Sequence, residues 1–143
     1  MRQRIRICFF GWHLIYFLIM GCGSTSPPPP SVAPTVGKDI AQKYNFNVVS
    51  EAIISNITLP QQMTGPDWGL KEGLCEQAGY SLVPFAGQNV SIAHYSITNK
   101  WNSESLYLWV VAKDQASICG YLSVREGSGL IPGVFAVNDS NIK

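Results

Sequence analysis

Apolar side chains first come as one block. Positions Ile7 to Met20 carry no charge, are broken only by Gly11 and a neutral His13, and sit behind a head that holds Arg2, Arg4 and Arg6. Further on the pattern becomes periodic. Ile40 and Tyr44 lie four residues apart and predict a short helix over Lys38 to Tyr44, ended by Asn45. Phe46 to Leu59 carries β-branched residues at Val48, Val49, Ile53, Ile54 and Ile57, reads as extended chain, and stops at Pro60. From Thr64 a second helix is signalled by Pro66 at its start, Asp67 in its first turn and Gly79 past its end. Leu70, Leu74 and Ala78 give it a buried stripe, and Gly69 and Gly73 each cost about 1 kcal/mol inside a helix.

Three strands follow, Asn89 to Thr98, Ser105 to Lys113 and Ser117 to Arg125, the first two joined through Asn99 to Glu104 and the last two by a tight turn at Asp114-Gln115. Short connections make antiparallel neighbours. Along the middle strand both alternating sets are apolar, Leu106, Leu108 and Val110 on one side and Tyr107, Trp109 and Val111 on the other. That pattern implies cover on both faces or a partly exposed aromatic face. After Gly127-Ser128-Gly129, the run LIPGVFAVND predicts a last short strand. The expected fold is α+β: an antiparallel meander of three to four strands with one or two helices packed on one face.

The opening block has the layout of an export signal. Its 14-residue run is too short for an ordinary membrane span of about 20. Its exit, Leu18-Ile19-Met20-Gly21-Cys22, resembles the bacterial lipobox, in which the cysteine thiol receives a diacylglycerol and becomes the new N-terminus. Gly21 and Cys22 match that pattern well, whereas Ile19 stands where leucine is commonest and Met20 is bulky. An uncleaved N-terminal anchor is the competing reading. The expected organisation is a signal peptide over 1–21, a tether over 22–37 and an extracytoplasmic domain over 38–143. The tether, GSTSPPPPSVAPTVG after Cys22, is uncharged, cannot bury a core and is extended through Pro27 to Pro30. A proline-recognition ligand is its sharper alternative, although the run has no flanking basic residues.

Without the three signal arginines, seven basic side chains face nine acidic ones, a net of about −2. No basic stripe exists to neutralise phosphates, which argues against a nucleic-acid partner. The domain is one core's worth of chain.

Catalytic signals are weak. His94 is the domain's one histidine and reads as a solvent-facing strand residue, with Tyr95 and Ile97 facing the other way. No zinc-type cluster, phosphate loop or nucleophile elbow accompanies it, so no cofactor and no metal are expected. Cys75 and Cys119 fall on the second helix and the third strand. They form either a disulfide, as an oxidising compartment permits, or two inert buried thiols, with a Cys119/His94 nucleophilic pair as a remote third reading. Asn56-Ile57-Thr58, Asn89-Val90-Ser91 and Asn138-Asp139-Ser140 match the glycan-acceptor triplet, a match read as accidental in a bacterial lipoprotein.

The segments IAQKYNFNV, TLP, LCEQAGYSLVPFAGQNV, HYSITNK, LYLWVVAKDQASICGYLS and LIPGVFAV resemble a family of small extracytoplasmic domains of Gram-positive bacteria, domain of unknown function 4830. The resemblance runs from about Ile40 to Val137 and implies a lipoprotein signal or anchor ahead of such a fold. Ser81 stands where relatives commonly have an acid, and no activity carries over. The function expected is a non-catalytic, membrane-tethered interaction module that meets an envelope protein or a wall-derived ligand, with Trp101, in a polar hairpin loop, as a contact residue. The alternatives are a small envelope enzyme or thiol-redox protein using Cys75, Cys119 or His94, and an inhibitor or anti-sigma-like sensor.

Overall fold

The computed structural model describes residues 36–124 and 133–143. Two helices, α1 (Lys38–Lys43) and α2 (Gly65–Gln77), accompany five strands: β1 (Ile53–Thr58), β2 (Asn89–Trp101), β3 (Glu104–Lys113), β4 (Ala116–Ser123) and β5 (Val134–Ala136). The strands form one antiparallel sheet in the order β1-β2-β3-β4-β5. The fold is therefore the expected α+β meander with one strand more. The additional strand comes from the extended segment Phe46 to Leu59. Its first part pairs with the end of β2 through Val49 N–H to Ser96 O and Thr98 N–H to Asn47 O. The hydroxyl of Ser50 then takes the Ser96 amide at 2.8 Å, and the ladder resumes as β1 against the start of β2.

Both central hairpins close through two residues of positive φ, Asn102 and Ser103 (46° and 72°) and Asp114 and Gln115 (49° and 70°). These are the signs of the primed turn that suits the twist of paired strands. The β2–β3 connection is thus shorter than the sequence pattern predicts, and Trp101 is a strand residue facing Glu104 across the ladder.

Each face of the sheet carries its own cover, as the two apolar sets of β3 allow. On the first face Ala93, Tyr95, Leu106, Leu108, Val110 and Leu122 pack under Ile40 and Ala41 of α1, with Phe46 and Val48 beside them. On the second, Val90, Trp109, Val111, Cys119 and Tyr121 pack under Leu74 and Cys75 of α2 and under Leu59 and Leu82. The expectation of helices on a single face gives way because one strand period separates the two sets of partners. Each fully buried leucine contributes about 1.5–3 kcal/mol.

Close approach of α1 depends on two glycines. A Cβ on Gly120 of β4 would lie 2.8 Å from Ile40 Cδ1, and one on Gly37 would lie 2.5 Å from Val110 Cγ2, at a φ of +77° that L-residues rarely adopt. Gly73 of α2, in contrast, has nothing within 4 Å of such an atom. The same substitution therefore has opposite signs at two sites. Gly73→Ala raises unfolding stability by about 1 kcal/mol, and Gly37→Ala lowers it by about 1–3 kcal/mol through strain and overpacking. Urea denaturation of the two variants reads both signs.

Candidate functional site

The segment from α2 to β2 is fastened to the sheet by chemistry that periodicity does not reveal. Cys75 and Cys119 form a disulfide between α2 and β4, with Cα atoms 5.3 Å apart and both residues at 0% exposure. Neither sulfur is a thiolate that could attack a substrate. Three residues earlier, the carboxylate of Glu72 is buried and accepts from the Leu82 amide at 2.7 Å and from the Ser81 hydroxyl. It fixes the chain that leads from α2 through the 3-10 turn Val83–Phe85 into β2. Lys71, also buried, holds its amine 2.7 Å from Asp67 and 4.5 Å from the Trp68 ring centre. Both charged side chains escape an apolar-stripe reading because they are inside for their partners, not for their hydrophobicity.

His94 is half-buried rather than fully solvent-facing. Its register partners are Ile53 on one side and Trp109 on the other, its ring lies 4.5 Å from that of Trp109, and Nε2 is buried without a hydrogen bond. Trp109 in turn stacks parallel to Tyr121 and donates its indole N–H to Ser123 Oγ at 2.9 Å. His94 and Cys119 share the second face but sit on β2 and β4, with β3 between them. Trp101 is half-buried, its ring 4.6 Å from Phe135 and its strand position bridged to Ile142, so its environment is packing at the sheet's end and not an open loop. Cys22, the expected lipidation site, lies outside the described residues. Among the described residues no group of three His, Cys, Asp or Glu is placed to hold a metal ion.

The structure does bring together two triplets that look accidental in the sequence. β1 and β2 pair so that Asn56 faces Ser91 and Thr58 faces Asn89, each triplet's asparagine meeting the other's hydroxyl. The Thr58 hydroxyl donates to Asn89 Oδ1 at 2.6 Å, and the Ser91 hydroxyl donates to Asn56 Oδ1 at 2.8 Å. These pairs line an open concavity of about 620 Å³ at the end of the sheet, closed on its far side by Ala112 and the β3–β4 turn. Lys113 reaches into this region with its amine 3.2 Å from Asn89 O and 3.8 Å from Asp114. The lining offers amide and hydroxyl groups, one cation and no pair of carboxylates. That set suits recognition of a neutral, hydroxyl-rich ligand. The signal readable in the sequence is the alternation of Asn, Ser and Thr on two strands. Strand pairing alone turns it into a site. No family profile, curated protein or solved structure matches this chain.

Two measurements follow from the buried groups. Reducing the disulfide, which spans 44 residues, lowers stability by about 4 kcal/mol on the loop-entropy account; urea midpoints with and without dithiothreitol report it, and the native protein shows no reaction of these sulfurs with a thiol reagent. Burial pushes the Tyr121 phenol well above the usual tyrosine range, with Asp67 adding to the effect. The neutral form is held in the folded state, while the unfolded chain ionises from about pH 10. Its contribution is thus full below about pH 10 and is lost as pH rises, by up to about 1.4 kcal/mol per pH unit. Tyr121→Phe flattens the fall in urea midpoint between pH 9 and pH 11.

Proposed function

We propose that this chain is a lipid-anchored extracytoplasmic binding domain of the bacterial envelope, tethered through Cys22 and presenting the concavity between β1, β2 and the β3–β4 turn to a wall-derived saccharide. The facing triplets carry this reading: four polar side chains, Asn56, Thr58, Asn89 and Ser91, converge on one open surface and do no packing work there. Sugars are bound by such amide and hydroxyl sets because each group can both match a hydroxyl's donor and accept from its neighbour. Support for the location comes from the arginine-headed apolar block, from the resemblance of Leu18 to Cys22 to a lipobox, and from a disulfide that an oxidising compartment sustains. Two acyl chains give a stable hold where one gives marginal binding. Among the described residues no helix is long and apolar enough to cross a membrane. The likeness of the domain's segments to domain of unknown function 4830 belongs to the same proposal, as does the absence of catalysis.

Val36, the first described residue, is bound by the sheet. Tyr95, rising from β2 through the first face, donates its hydroxyl to Val36 O at 2.6 Å and accepts from Val36 N–H at 3.2 Å. Val36 therefore lies on the face covered by α1.

Titrating the protein with a soluble N-acetylated wall disaccharide, followed by amide chemical shifts, tests the site. Shifts concentrated on residues 56–58, 89–91 and 112–115, abolished in Asn56→Ala/Asn89→Ala with the fold retained, are expected. Unchanged binding by that double variant, or shifts elsewhere, contradicts the reading.

A further inference from the structure

Among the described residues nothing pairs with the outer edge of β1, and the strand has none of the usual devices that blunt an edge. Over Ile53–Thr58 there is no charge, no proline and no bulge against β2. Five of its six residues are exposed, and Ile53 (58%) and Ile54 (49%) are two of the three large exposed hydrophobics among the described residues. The opposite edge, β5, is three residues long.

The geometry points to a second copy of this chain as the occupant: we propose that β1 pairs antiparallel with β1 of another molecule about a two-fold axis through Ser55, joining two sheets into one. Three observations select that arrangement. First, Leu59 directs its amide to Gln88, so by ladder alternation Ile57, Ser55 and Ile53 point their backbone groups at β2. Ile54, Asn56 and Thr58 then direct theirs outward. Centred on Ser55, Ile54 of each copy meets Asn56 of the other with both N–H and C=O groups paired. Second, residues facing each other across an antiparallel pair share a face, and in this register Ile53 of each copy lies opposite Ile57 of the other. The isoleucines at i and i+4 make the strand its own complement, and the exposed Ile53 gains an apolar neighbour. Third, an axis perpendicular to the sheet leaves α1 and Val36 on the same side in both copies. Two tethers leaving one side can reach one membrane.

That last point rests on the anchored reading above and also supplies the driving force. Five paired residues from each copy cover far less than the roughly 1,200 Å² of an ordinary stable interface, so pairing in dilute solution is weak. Confinement to a shared membrane through the proposed Cys22 anchor raises the effective concentration toward the millimolar range. An isologous contact of this kind closes on itself, whereas β1 adding to β5 of the next molecule would build an open chain on a three-residue ladder.

The full-length chain carrying Ser55→Cys, expressed in its host and treated with a mild oxidant, tests the pairing on non-reducing gels of membrane and soluble fractions. Ser55 faces its own copy at a non-hydrogen-bonded position, where side chains stand closest and a disulfide can close. A band of doubled mass is expected in the membrane fraction. It is absent when the cysteine is introduced instead by Val83→Cys, at an exposed position outside β1. It falls by roughly tenfold when Ile53→Lys is added to Ser55→Cys, as an uncompensated charge facing Ile57 of the partner copy costs at least about 1.4 kcal/mol. Equal cross-linking from position 83, no doubled band in membrane-located protein, or an adduct of the Ser55→Cys variant to a different protein overturns the proposal. Fractionation separates the two readings. A soluble chain that Cys22→Ala leaves unchanged defeats the anchor, whereas a membrane-bound chain that never cross-links defeats only the pairing.

Discussion

One covalent link decides how this small domain can be built. The Cys75–Cys119 disulfide holds α2 against β4 on the second face, while α1 covers the first face with a core of its own. The helix itself is an ordinary one, interrupted by Gly69 and Gly73 and with two of its buried positions taken by Lys71 and Glu72. A helix with so mixed an inner surface gains little from hydrophobic burial alone. The disulfide and the Glu72 hydrogen bonds to Ser81 and Leu82 replace that missing apolar area with directional contacts. Because they fix the end of the 59–88 connection, they also fix where β2 begins. The register of β2 against β1 then sets which side chains of the two Asn-x-Ser/Thr triplets meet.

The meander is legible in the sequence because its signals are local. Alternation along Asn89 to Thr98 and Ser105 to Lys113, with the Asp114-Gln115 turn between β3 and β4, specifies antiparallel neighbours without long-range knowledge. The double apolar set on β3 leaves two-faced cover or an exposed aromatic face open, and only the packing of α1 and α2 on opposite faces decides it. What escapes depends on contacts distant in sequence. Nothing local to Ile53–Thr58 says that it joins β2 as an edge strand, and nothing local to Lys71 or Glu72 says that they are inside. Trp101 reads as a loop residue because its polar neighbours Asn99, Lys100 and Asn102 are typical of turns. Its burial comes from Phe135 and Ile142, more than thirty residues away. His94 reads as exposed for the same reason, since the ring that shields it belongs to another strand.

The candidate site shows the same division. Each triplet is visible, and each looks like chance on its own. Only the antiparallel register, in which Asn56 meets Ser91 and Thr58 meets Asn89, makes them a single surface. That surface lies at the β1 end of the sheet, beside the edge strand. Tyr95 contributes from the opposite direction, tying Val36 to the first face.

The central claim is that this is an exported, lipid-anchored domain whose two sides are locked together by an oxidised cysteine pair. Intact mass of the protein extracted from host membranes under alkylating conditions tests it most directly. A chain that begins at Cys22, carries a diacylglycerol and takes no alkyl group at Cys75 or Cys119 is the expected result. A chain that still begins at Met1, with both cysteines alkylated, would contradict it.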